Sequence, residues 1–154
     1  MASEMTRVAD QLQRAFERRA WHGPALMEAL KNVDAKLANA RPIAGAHTIW
    51  ELALHVAAWE EVILRRLQGE ALTLSAAKNF PKIRDASEAA WKQALALVRR
   101  RHEELVKRIR AFPEKRLGEQ VPGKKYDIYT MLHGATQHVI YHAGQIVLLK
   151  KAVE

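Results

Sequence analysis

The sequence predicts an all-α protein, a four-helix bundle with a long connection between helices. Apolar residues recur at steps of three and four along four stretches, helix-capping and helix-breaking residues mark their ends, and no stretch alternates apolar with polar residues as a strand would. With 154 residues, 49% of them hydrophobic, the chain is expected to form one domain, 1–154, around a core of its own.

The first helix is expected from Glu4 to about Arg19, where Val8, Leu12, Ala15 and Phe16 keep helical spacing. Trp21-His22-Gly23-Pro24 then breaks it, because glycine is conformationally permissive and proline favours a first helical turn, and the pattern resumes from Pro24 to Leu30. Residues 32–46 read as a long connection with a short helical turn near Asp34–Leu37. Thr48-Ile-Trp-Glu51 is a capping box, in which each side chain satisfies an amide at the start of a second helix; this helix runs to about Leu67, before Gly69. Its inward stripe is Leu52, Val56, Trp59 and Ile63, and at about 100° per residue His55 falls inside it.

Residues 70–83 show little period and read as a crossover loop. Ser87 or Asp85 can cap the third helix, whose seam of Trp91, Leu95, Val98, His102, Leu105, Ile109 and Phe112 is of the kind that packs in bundles; Pro113 stops it. Alone on that seam, His102 reads as a core or boundary residue. A polar turn over 118–125 precedes the fourth helix, Tyr126 to about Lys151, with Lys150 and Lys151 placed favourably at its negative pole.

Composition narrows the chemistry. The chain has no cysteine, which removes disulfides, thiolate metal sites and a cysteine nucleophile, leaving histidine and carboxylate as strong ligands. No stretch reaches the roughly 18 apolar residues of a membrane span, and Met1-Ala-Ser-Glu-Met-Thr lacks a signal pattern, so a soluble cytoplasmic protein is expected. The net charge of +8 raises nucleic acid as a partner, but Glu103 and Glu104 interrupt the basic run of Arg99-Arg100-Arg101, Lys107, Arg108 and Arg110. No reading motif or stacking aromatic accompanies it, so it reads as a solvated helix face and no specific nucleic acid is expected.

His138 and His142 stand one helical turn apart on an apolar face that also carries Met131, Gly134, Ala135, Gln145 and Leu149. Side chains four residues apart stack on one face, so the two imidazoles can grip one metal ion, and His55 on the second helix is the candidate third ligand. Three ligands would leave one coordination position open; zinc, nickel or iron would each accept neutral imidazoles. The alternative is that all three are core residues hydrogen-bonded to carbonyls, an arrangement that buries three polar groups without a shared purpose. His133, about 140° from His138 on the helical wheel, cannot easily join the set and reads as structural or interfacial. His47 precedes the second helix and reads as exposed. Gln145 either bonds a ligand or bound water, or lies at a boundary. Trp21 and His22 either line the metal cavity or, for the tryptophan, cap the core.

The chain resembles the DinB-like (DinB/YfiT) superfamily over nearly its whole length. The likeness rests on Ala20-Trp-His-Gly-Pro24, on the stretch from His47 to Glu60, and on the stretch from Leu132 to Gln145. It implies a four-helix bundle, the ligand set His55, His138 and His142, a nickel- or zinc-like divalent ion, a homodimer, and in some branches transfer of a low-molecular-weight thiol to an electrophile. One departure is visible: several relatives carry arginine directly after the second histidine of the pair, where this chain has Ala143, so the thiol branch's anion contact lacks its residue. The expected function is therefore a metal-dependent enzyme of thiol-transferase or hydrolase type acting on a small molecule. Its rival is a non-catalytic stress-response or binding protein with a structural metal.

Overall fold

The structure, a computed structural model, describes residues 1–153; the last residue of the expected domain, Glu154, lies outside them. In chain order the helices are α1 (Glu4–Glu17), α2 (Leu26–Ala29), α3 (Ala35–Asn39), α4 (Ile49–Leu67), α5 (Ala76–Asn79), α6 (Glu88–Arg110) and α7 (Ile128–Lys151), with a 3-10 turn at Glu114–Arg116. Among the described residues there is no strand, only two isolated bridges at turns.

Four long helices carry the fold. α1 packs on α6 and α7, and α4 packs on the same two, so α1 and α4 occupy opposite corners of a square. Residues 18–48 make the long connection between them, and they are more ordered than a linker. α3 is capped by Asp34, whose carboxylate accepts from the Leu37 amide at 2.8 Å. Trp91 of α6 donates its indole N–H to the Val33 carbonyl at 2.7 Å, and Lys150 of α7 donates to the carbonyls of Ala29 and Lys31. Lys150 thus caps a neighbouring helix as well as sitting at the negative end of its own.

The helix starts follow the local chemistry. Thr48 and Glu51 form both bonds of the capping box, and of the two cap candidates before α6 it is Ser87 that accepts the Ala90 amide. Residues 70–83 are not merely a crossover loop: they hold α5, with Ser75 accepting from the Lys78 amide. A four-residue helix is too short to display a period, which is why its pattern was silent.

The core is one contiguous cluster drawn from α1, α4, α6, α7 and the connection between α1 and α4. Val8, Leu12 and Phe16 of α1 and Trp91, Val98 and Ile109 of α6 are buried inside it, and Leu95 and Leu97 of α6 pack against it half-buried.

At the centre lies one polar pair. His102 of α6 and Glu60 of α4 are 1% and 2% exposed, with Nδ1 and Oε1 3.1 Å apart, and the Phe16 ring stacks on the imidazole at 3.6 Å. His102 is a core residue, as its solitary place on the seam suggested. Burial pushes the Glu60 carboxyl above its ordinary pKa, and the contact with His102 pulls it partly back. No helix among the described residues is long and apolar enough to cross a membrane.

Candidate metal centre

α4 and α7 run side by side, and their facing stripes bring the three histidines together. His55 Nε2 lies 3.0 Å from His138 Nε2, which lies 3.1 Å from His142 Nε2. His55 and His142 are buried; His138 is partly exposed.

The outer hydrogen bonds set the tautomers. His55 Nδ1 lies 2.9 Å from the Asn79 backbone carbonyl, an acceptor only, so Nδ1 carries the hydrogen and Nε2 is a bare lone pair. In the same way His142 Nδ1 donates to Gln145 Oε1 at 2.6 Å and leaves its own Nε2 bare. Gln145 therefore orients a histidine, the first of the two roles expected for it. His138 Nε2 sits between two lone pairs and has at most one hydrogen to offer, so at least one of the two short contacts sets electron-rich nitrogens together with no hydrogen between them. A small cation among the three nitrogens would relieve that repulsion. Four-coordinate zinc, with bonds of about 2.0–2.1 Å, separates its nitrogen ligands by about 3.3 Å, close to the spacing found here.

Electrostatics agree with a site built for neutral imidazoles. Burial holds His55 and His142 below the ordinary value of 6.5, the bonds to Asn79 and Gln145 opposing it. Burial, with the neighbouring His142 and His55, pushes His138 down to about 3, and no hydrogen bond opposes it as Asn79 and Gln145 do at the other two. Below pH 6.5 the unfolded chain takes up protons that the folded chain refuses, so metal-free protein loses stability as pH falls from 6.5 toward 3. The expected result is a melting temperature that declines between pH 6.5 and 4.5, and a shallower decline in metal-free His138→Ala. Parallel profiles for the two proteins would contradict it.

Residues outside the histidine stripes complete the site. The Phe80 ring stacks on His55 at 4.2 Å and on the exposed His47 at 3.6 Å, while the Trp59 indole donates to Asn79 Oδ1 at 2.8 Å. Thus the connection holding α5 closes one side of the cluster. Asn79 and Phe80 were not legible as site residues, since Asn79 meets His55 through its backbone carbonyl and Phe80 lies on a connection with no period to read.

A cavity of about 520 Å³ opens beside the three rings, bounded by Trp59, Ile63 and Arg66 of α4, Tyr126 before α7, and Tyr141 of α7. Gly134 and Ala135 line it too, and a Cβ built on Gly134 would meet nothing within 4 Å, so these small residues leave it room. A hollow of similar size near Glu17 and Trp91 has no histidine in its lining. Trp21 neither lines the cavity nor caps the core: it is fully exposed, and His22 is exposed beside it, because a turn closed by the Ala20–Gly23 bridge, with Gly23 at φ 136°, turns the segment outward. His133 lies apart from the cluster, against Tyr129, and His102 is in the core. Arg66, buried in the cavity wall, gave no signal, since Arg65-Arg66 near a helix end reads as an exposed basic pair.

Fold and site together define an all-α bundle with a histidine cluster and a cavity between facing helices. The chain matches the family model of the DinB superfamily over residues 5–146 and belongs to that superfamily. No curated protein and no solved structure matches it.

Proposed function

We propose that this is a metal-dependent enzyme of thiol-transferase or hydrolase type, in which His55, His138 and His142 hold one divalent ion and a small-molecule substrate enters the adjoining cavity in the cytoplasm. The observation that carries the reading is the convergence of three imidazole nitrogens at the edge of that cavity. Zinc, nickel and iron all accept neutral imidazoles, and the family resemblance favours nickel or zinc. Such an ion supplies Lewis-acid chemistry that makes a water or a thiol nucleophilic near neutral pH.

The chain's own residues prepare for it. Asn79 and Gln145 keep Nε2 of His55 and His142 available, and uncharged ligands leave the ion's positive charge undiminished. Trp59, Ile63 and Met131 supply apolar walls that strengthen electrostatic interactions within. A purely structural ion is usually closed off by four protein ligands; the cluster offers three histidines, with the cavity beside them. Nucleic acid is not the proposed partner. Arg101 pairs with Glu61 and Glu104, and Arg99 with Glu17, which supports a solvated, paired face on α6.

Elemental analysis of the purified protein tests the reading. About one equivalent of a divalent transition metal is expected, and thiol and electrophile pairs should react faster with the loaded protein than with the stripped one. Protein that neither carries nor takes up zinc or nickel at micromolar concentration would exclude it.

A further inference from the structure

We infer that Arg66 is the oxyanion-binding residue of the histidine cavity, so that the substrate carries a carboxylate or phosphate at the end away from the histidines. This rests on the reading of that cavity as a substrate site, and names the substrate's chemistry.

Arg66 is 3% exposed, yet no carboxylate among the described residues pairs with it. Its neighbour Arg65 is, by contrast, a surface residue paired with Glu70 at 2.6 Å. A buried charge ordinarily has an opposite charge beside it, because desolvation costs several kcal/mol otherwise. What Arg66 has is neutral. Its Nε and Nη2 donate to the Leu72 carbonyl at 3.1 and 2.8 Å, its Nη1 donates to the Tyr126 hydroxyl at 3.0 Å, and Cζ lies 5.6 Å from the Trp59 ring centroid. A guanidinium has five N–H groups, so one remains on each terminal nitrogen. Tyr126, having accepted from Arg66, keeps its own O–H to donate.

Arg66, Tyr126 and Thr130 line the same cavity as the three histidines. On α4 the order His55, Trp59, Ile63, Arg66 keeps steps of four, four and three, so one face carries both ends of the site. The Trp59 ring stands between those ends, its centroid 6.1 Å from that of His138, which puts guanidinium and imidazole no more than about 12 Å apart. An oxyanion gives the unpaired guanidinium two charge-assisted bonds in a setting where they are strong. It also fixes the direction in which a substrate lies along the cavity.

Side-chain and backbone NMR of the full chain tests this, zinc-loaded and metal-free, titrated separately with inorganic phosphate and with acetate against chloride at equal ionic strength. The expected result is saturable movement of the Arg66 Nε–Hε signal and of the Tyr126 and Thr130 amides, in both metal states, with no response to chloride. The arm with the tighter midpoint tells phosphate from carboxylate. Arg66→Met should weaken anion binding by at least about tenfold while zinc stoichiometry stays at the wild-type value. Tyr126→Phe, at an exposed residue, should weaken it severalfold and covers the case in which Arg66→Met does not fold. Signals at Arg66 that stay still, move equally with chloride, or keep their midpoint in Tyr126→Phe would overturn the inference and leave Arg66 as a tie between α4 and two loops. Movement confined to the histidines would overturn it as well. Failure of the metal reading would show separately, as absent zinc stoichiometry with the metal-free titration unchanged.

Discussion

Replacing His55 by alanine is expected to remove most of the metal proposed for the histidine cluster, even though His55 lies far in sequence from the α7 pair. Its Nε2 is 3.0 Å from that of His138, so its loss leaves two nitrogens from one helix where three from two helices had met. Loss of a hydrogen-bonding partner to a ligand typically costs ten- to a hundredfold in affinity, and loss of a ligand itself should exceed about a hundredfold. His138→Ala and His142→Ala should behave alike, and Gln145→Leu should fall in the ten- to hundredfold range, because it frees the His142 ring and leaves its nitrogen in place. Zinc competition with a chromophoric chelator gives the ranking. Far-ultraviolet circular dichroism should show helical content largely retained in all four, since the core rests on the apolar cluster. Unchanged metal affinity in His55→Ala would mean that the α7 pair finds its third ligand elsewhere.

Glu60→Ala should destabilise the fold by about 1–3 kcal/mol, the range for leaving a buried polar partner, here His102 Nδ1, unsatisfied. Both members are almost fully buried, and the His102 Nδ1 contact to Glu60 is the pair's one mutual bond. For a chain of this size that corresponds to a melting temperature lower by about 5 °C. Removing both polar groups is a different experiment. Glu60→Leu with His102→Phe replaces the pair with apolar volume next to Phe16, and should recover most of the loss. Denaturant unfolding of the single and double variants decides it. A loss under about 1 kcal/mol in Glu60→Ala would show that the pair is not held as the 3.1 Å contact implies. Metal affinity should be unchanged, because Glu60 and His102 face the core and take no part in the histidine cluster.

Much of the architecture was legible in advance because it rests on local rules. Helical period located the four long helices, and the Thr48–Glu51 box, Ser87 and Pro113 marked ends that the structure places at the same residues or within one or two of them. The same period put His55, His138 and His142 on inward faces, since azimuth on a helix is a property of spacing alone. Read on its own, it also separated His133 from the pair.

Other features needed the tertiary structure, because they depend on which segments meet. Asn79 acts through its backbone carbonyl, Phe80 through a ring stacked on two histidines, and both arrive on a connection whose short helix has no period to read. Glu60 looked like one of the many charged residues on α4 until α6 placed His102 opposite it. Arg66 adjoins Arg65 in sequence, and a step of about 100° around the helix sends one to solvent and the other into the cavity wall. The sequence by itself determined which residues face inward along each helix, since that follows from the 3.6-residue turn. Which inward residues become partners was decided only by the way α4, α6, α7 and the α5 connection pack, because hydrogen bonds and ion pairs act over about 3 Å and their partners come from segments far apart in the chain.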